Sequence, residues 1–321
     1  MFQWPVPDLV KTVPPGAVYM GVAPDQNFTY IAAVKPRMAF IVDIRRGNLL
    51  QHLLYKALFE LSADRAEFLA RLFSMPKLTG VTATSTAREL FDAVYRQTSD
   101  KALFEANTKQ VLALLTGTHK FALSIDDEAQ LTWIYGCFFT YGPDLTYQRC
   151  ESGSGRGFGG RGGGRFGGGR FRSFADLQLQ TDAAGVEHAY LANDAAFQWM
   201  KQFEGKNLLV PVMGDFMGPK AIRAVGAWVG ARGGTVGAFY TSNVEEYLFR
   251  SSTWGNFYRN LAALPLDGRS QLIRSVPNRM VVPRQPGETA ASMLSTMTEL
   301  TAAFAAGKIQ GYADVVALSR Q

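Results

Sequence analysis

Histidine and cysteine are scarce in this chain, which has 3 His and 2 Cys among 321 residues. His52, His119 and His188 are scattered, with no HExxH or other paired spacing, so no histidine metal site is expected. Cys137 and Cys150 are too few for a disulfide framework or a cysteine zinc site. Cys137 lies in the apolar run from Ile134 to Phe139 and is expected as a buried free thiol. Long apolar runs are missing as well. No stretch reaches the about 18 residues of a membrane span, and the amino terminus lacks the basic start and apolar core of a signal peptide. A cytoplasmic protein with no membrane association is the expectation. Neither a GxSxG elbow nor a GxxxxGK[ST] phosphate loop occurs, and Asp126, Asp127 and Glu128 are too few neighbours to encircle a cation. They are expected to start a short helix or turn.

Charge is unevenly placed. The net charge of +6 comes mostly from Gly153 to Arg172, where Arg156, Arg161, Arg165, Arg170 and Arg172 stand with no acid. The rest of the chain is nearly neutral, so the basic balance does not make the folded part a nucleic-acid binder. Eleven of those twenty residues are glycine, and such a stretch cannot bury enough apolar surface to offset its ordering entropy. It reads as a disordered loop over 151–174 inside one α/β domain. Its GxGxxG at Gly155, Gly157 and Gly160 follows from composition and has no strand before it. As an RGG-type segment, Arg156, Arg161, Arg165 and Arg170 would contact phosphates and the phenylalanines would stack on unpaired bases of RNA. A loop expanded at a tolerant surface position is the plainer alternative.

Two strand–helix–strand units are present. Ala17 to Val22 is a continuous apolar strand, Ala23 to Asn27 is turn and cap chemistry, Phe28 to Val34 is a helix, and Met38 to Val42 is the next strand, ending at Asp43. Later, Leu208 to Met213, Lys220 to Ala231 and Thr235 to Tyr240 repeat the pattern. Continuous apolar strands joined by helices imply a parallel sheet covered on both faces. The fold expected is therefore α/β, a doubly wound, mostly parallel sheet over 1–321. A helical insertion or lid is expected over 47–116. Leu131 to Phe139 reads as a strand, Gln271 to Arg274 as a late strand, and Thr289 to Ala306 as a terminal helix. His52 falls on the polar side of its helix.

In open parallel sheets, ligands sit at the carboxyl ends of the strands where the strand order reverses. Gly21 allows close backbone approach there, and Asp25, Gln26 and Asn27 offer short polar groups, though capping of the helix explains them equally. Asp43 stands 22 residues after Gly21, the spacing at which an acid takes ribose hydroxyls; a surface pair with Arg45 or Arg46 is the alternative. Asp215 closes the strand of the second unit and Tyr240 the strand after it. Both are candidates for the acceptor side, with Asp215 expected near Gly21. Asp215 would serve equally as a plain turn residue.

The stretches GVAPDQNFTYIAAVKPRMAFIVDIRRGN, NLLVPVMGDFMGPKAIRAVG and AFYTSNVEEYLF resemble an uncharacterised bacterial protein family related to class I S-adenosylmethionine-dependent methyltransferases. The resemblance covers residues 17–61 and 207–275. It implies a Rossmann-like, methyltransferase-like sheet with S-adenosylmethionine as cofactor. Gly21 to Asn27 would hold the methionine portion, Asp43 the ribose, and Asp215 and Tyr240 the catalytic acceptor rim. The turn is GVAPD rather than the GxGxG of most such enzymes, and no Asn-Pro-Pro-Tyr follows the later strand. A non-catalytic protein that uses the cleft for another small molecule, or the Gly/Arg loop for RNA, is the competing expectation.

Overall fold

A computed structural model describes residues 2–146, 150, 172–281 and 288–320. The chain forms two compact units. The first comprises Met1–Ile44, Gln180–His188 and Leu208–Gln321, and the second comprises Arg45–Leu179 and Ala189–Asn207. The second unit is thus inserted in the chain between two strands of the first. It is wider than the helical span of 47–116 expected from the sequence.

The first unit is α/β. Strands β1 (Val18–Gly21), β2 (Met38–Asp43), β3 (Leu209–Met213), β4 (Val236–Ser242), β5 (Gln271–Pro277) and β6 (Ala290–Thr296) form one sheet in the order β3-β2-β1-β4-β5-β6. All neighbours are parallel except β5 and β6. β1 and β4 are buried along almost their whole length, as strands covered on both faces must be. One face carries Val18, Met20, Phe40, Val236, Phe239 and Leu272, packed with Ile222, Val225 and Val229 of helix α10 (Ala221–Gly230) and with Phe257 and Leu261 of α12 (Trp254–Ala262). At the β3 edge, Pro211 removes a backbone donor from a half-buried strand, which discourages pairing with another chain.

The span 289–306 is not a single helix. Ala290–Thr296 pairs antiparallel with β5, and only Met297–Ala305 (α13) is helical. Alanine and methionine favour a helix locally, but the open edge of β5 offers a full ladder of backbone partners, and tertiary pairing overrides the propensity. Beneath this edge, Arg274 and Glu245 form an ion pair at 2.7 Å with both side chains buried. Arg274 also donates to Ser295 Oγ at 2.6 Å and Val315 O at 2.8 Å, and Tyr258 donates to Glu245 at 2.5 Å. Both charges have the dense hydrogen bonding that a buried pair requires.

The second unit is helical. Its central helix α3 (Arg46–Leu61) buries Leu50 to Phe59 without a break, so it is enclosed on every side. His52, expected on a solvated face, is 1% exposed for that reason. Leu131 to Phe139 lies inside helix α7 (Ile125–Tyr141) rather than in a strand. The buried positions Leu131, Ile134, Tyr135 and Phe138 follow the i, i+3, i+4, i+7 spacing of a helix, and Ser124 with Asp127 forms a capping box at its start. Arg46 is paired with Asp127 at 2.8 Å, so this arginine is committed to the capping acid of α7.

Cys137 is not a free thiol. It is bonded to Cys150, with Cα atoms 5.7 Å apart, within the range a disulfide spans. Helix α8 (Phe174–Gln178) follows, capped by Ser173, so the carboxyl end of the expected loop over 151–174 is structured. The remainder of that loop, with Arg156, Arg161, Arg165 and Arg170, lies outside the described residues. Among the described residues no helix is long and apolar enough to cross a membrane.

Reducing the Cys137–Cys150 bond releases a 13-residue constraint, and a loss of about 3 kcal/mol is expected. Calorimetry with and without dithiothreitol should show a lower transition for the reduced protein. Two reactive thiols in unreduced, denatured protein would contradict the bond.

Candidate functional site

The strand order reverses at β1, whose neighbours are β2 on one side and β4 on the other. Along the carboxyl edge of the sheet the ends therefore run Tyr240–Ser242, Gly21–Asn27, Asp43 and Gly214–Asp215. With about 4.8 Å between strands, this line is about 14 Å long.

The turn after β1 is built around one side chain. Asn27 is fully buried. Its Nδ2 donates to the carbonyls of Val22, Ala23 and Pro24, each at 2.8 Å, and its Oδ1 accepts from Tyr19 Oη at 2.9 Å. A Cβ on Gly21 would lie 2.0 Å from Asn27 Oδ1, so glycine is needed to let this brace in. Gly21 and Asn27 thus shape the turn, and Asn27 has no capacity left for a ligand. Asp25 occupies the N-cap position of helix α2 (Gln26–Val34) without a side-chain capping bond.

Both loops that flank the reversal hold a non-glycine residue in the left-handed region, Ala23 at φ 65° and Ser242 at φ 51°. Such residues cost about 1–3 kcal/mol each and concentrate at functional sites. The two loops are joined, because Tyr240 Oη donates to Gln26 Oε1 at 2.5 Å. The Tyr240 ring packs on Tyr30, centroids 5.2 Å apart, and Tyr30 donates to Phe2 O at 2.6 Å. Tyr240 is 2% exposed. Burial pushes its phenol up to about 12, with Ser242 pulling it down and Asp25 pushing it up. A buried phenol that holds its proton this firmly is unsuited to the role of general base at neutral pH.

Asp43 and Asp215 lie at the ends of adjacent strands. Asp43 O accepts from Gly214 N at 2.9 Å, and Asp43 pairs with Met213 in register. The sequence expectation set Asp215 beside Gly21; β2 separates them, because the later strand–helix–strand pattern opens with β3, at the sheet edge. Asp215 Oδ1 accepts from Met217 N at 2.9 Å, a turn bond of its own. Ile44 and Met213, 66% and 56% exposed, stand beside this pair of acids.

Sequence reasoning missed a second ionisable cluster, in the helical unit. Lys56 contacts Glu60 Oε1 at 2.6 Å and donates to Glu204 O at 2.6 Å, while His119 Nε2 lies 2.8 Å from Glu60 Oε2. Glu204, near the end of helix α9 (Asp194–Gly205), is 1% exposed, and its Oε1 has no hydrogen-bond partner among the described residues. Burial pushes its carboxyl up to about 8, against the attraction of Lys56 and with the repulsion of Glu60. Lys56 and Glu60 lie one turn apart on α3, but His119 and Glu204 come from distant parts of the chain, so no local pattern marks the cluster. Among the described residues no group of acidic, histidine or cysteine side chains is arranged to hold a metal ion.

A family model described as a domain of unknown function (DUF7790) matches residues 7–133 and 172–317, and the chain belongs to this family. The matched spans contain every residue of the turn after β1, Asp43, Asp215 and Tyr240, and leave out 134–171. No curated protein matches the chain.

Replacing Asn27 by Ala leaves three turn carbonyls and the Tyr19 hydroxyl without their partner. A loss of about 3 kcal/mol is expected in denaturant unfolding; a change under about 0.5 kcal/mol would show that the turn holds without its brace.

The raised carboxyl of Glu204 favours folding while protonated. That contribution is complete below its ordinary value of 4.5 and is lost as pH rises through about 8. Glu204→Gln should match the native chain in thermal stability below pH 4.5, exceed it increasingly from pH 5 to 8, and keep a constant advantage above that. Parallel curves from pH 5 to 8 would refute the assignment.

Proposed function

We propose that this member of the family is a Rossmann-like, methyltransferase-like protein that binds S-adenosylmethionine along the carboxyl edge of the sheet. The observation that carries the reading is the pair of strained loops at the strand-order reversal, Ala23 after β1 and Ser242 at the end of β4, with Asp43 one strand away. A parallel sheet concentrates its ligand contacts at such a point. The line of strand ends suits a nucleoside that carries an amino-acid tail. The tail lies at the Gly21–Asn27 turn, the ribose hydroxyls at Asp43, and the base against the exposed apolar pair Ile44 and Met213.

One feature favours this ligand over a dinucleotide. Asp25, at the N-cap of α2 and 8% exposed, sets a carboxylate where a phosphate would seek the helix end, and like charges repel there. The same carboxylate attracts the ammonium of an amino-acid tail.

The cofactor, when bound, supplies an electrophilic methyl on a sulfonium. Its transfer is a direct displacement that depends chiefly on positioning. Tyr240 takes a structural part in this scheme, beneath the tail. Asp215 stands at the base end of the line and not at the acceptor rim. The alternative of RNA binding rests on Arg156, Arg161, Arg165 and Arg170, which lie outside the described residues.

Titration calorimetry with S-adenosylmethionine and S-adenosylhomocysteine tests the proposal. Saturable binding is expected, weakened about tenfold or more by Asp43→Ala, which removes the acceptor for the ribose hydroxyls. Absence of heat at millimolar ligand, with the protein folded by circular dichroism, rejects it.

A further inference from the structure

The helices on one face of the sheet carry a charge imbalance that the near-neutral balance of the folded part conceals. No acidic residue occurs between Asp215 and Glu245, and none in α12, whereas Lys220, Arg223, Arg232 and Arg259 stand there. α10 and α12 pack on the same face of the sheet. Arg37 joins them at the end of α10: a Cβ on Gly234 would lie 2.0 Å from Arg37 Nη2, so the guanidinium rests on the turn that closes the helix. All five cations are exposed. None of them forms an ion pair among the described residues.

Neutral groups hold three of the arginines in place. Arg223 Nε donates to Asn260 Oδ1 at 2.7 Å. Asn260 is 1% exposed and spends its Nδ2 on Phe216 O at 2.8 Å and Gly218 O at 2.9 Å, so its oxygen is the end left for the arginine. Arg259 donates to Asn256 Oδ1 at 2.8 Å. Arg232 lies 4.0 Å from the centroid of the Trp228 ring. These supports orient the guanidinium groups without neutralising them. Lys220 and Arg223 also stand at the amino end of α10, whose first turn has no acid. The helix dipole disfavours cations there, and a bound anion would relieve that cost.

We propose that this face docks duplex DNA through its phosphate backbones. The proposal does not depend on the cofactor reading. Lys220 and Arg232 are twelve residues apart, about 18 Å along a helix axis, the length over which one strand of a duplex presents about five phosphates. Between these ends the exposed positions of α10 include Ala224 and Ala227, so no long side chain bars the approach. A protein partner would require an apolar anchor at the centre of the face, and alanines do not supply one. Trp228 is half-buried between Phe40 and Arg232, so it offers no open ring for the unpaired bases of a single strand. A helix about 10–12 Å across matches the major groove of B-form DNA, about 12 Å wide, whereas the corresponding groove of duplex RNA is too narrow.

Fluorescence anisotropy of the full chain with a labelled DNA duplex tests the proposal. Affinity should fall with salt at a log–log slope of about −4.5 or steeper, the value for five phosphate contacts. Lys220→Gln, Arg223→Gln and Arg232→Gln combined should weaken binding about tenfold or more near 0.1 M salt and flatten the slope by about 3. Arg259→Gln alone should flatten it by about 1. Lys77→Gln, Lys109→Gln and Lys206→Gln combined remove the same charge from exposed positions of the helical unit; this control should bind within about twofold of native. Thermal transitions matching the native chain show that each variant is folded. Equal weakening of the control and the face variant overturns the proposal, because net charge alone then explains binding. So does native-like binding by the face variant together with loss on combined Arg156→Gln, Arg161→Gln, Arg165→Gln and Arg170→Gln, which assigns binding to the Gly/Arg stretch. Failure of the native chain to bind, or tighter binding to duplex RNA, single-stranded DNA or a polyglutamate peptide, overturns it as well.

Discussion

The side chain of Asn27 holds the turn on which the candidate site is built. Three carbonyls from consecutive residues converge on one amide nitrogen, an arrangement a chain does not keep without a buried donor. The demand spreads outward from there. Gly21 must lack a side chain to admit Asn27. Tyr19 must present a hydroxyl from the preceding strand. Ala23 takes a left-handed conformation within the same turn. Gln26 then begins α2 at the place where Tyr240 reaches it from the neighbouring strand.

The polar groups of the sheet and of the helical unit solve the cost of burial in opposite ways. Arg274 and Glu245 are both charged and both saturated with hydrogen bonds, so the desolvation of each is offset by its partners. Glu204 has no such set, and it keeps its proton instead. Arg274 binds β5 to β6 and to the carboxyl-terminal segment through Ser295, Val315 O and Ser319. That explains why a strand of weak intrinsic preference, Ala290–Thr296, is held at the edge.

Much of the sheet was legible in the sequence. The largely apolar runs at 17–22, 38–42, 208–213 and 235–240 mark parallel strands, and turn residues bound them. Asp43 and the Gly21–Asn27 turn were found as strand-end features by the same logic. The run Ile134–Phe139 misled because continuous apolar residues occur both in a buried strand and in a helix with crowded neighbours; length and the Ser124–Asp127 box decide for the helix. His52 misled because an amphipathic reading assumes one solvated face, and α3 has none.

By itself the sequence determined the first four strands of the sheet, that they pair in parallel, and that polar residues gather at their carboxyl ends, since these follow from hydrophobic period and turn chemistry along the chain. Only the tertiary structure decided what those residues touch. Asn27 became a brace and not a contact, Tyr240 a donor locked to Gln26, Asp215 a residue at the sheet edge, and Cys137 half of a disulfide. Each of these outcomes depends on groups brought together from distant positions or fitted into a closed turn. The free energy of a buried polar group is set by such neighbours, and local periodicity carries no record of them.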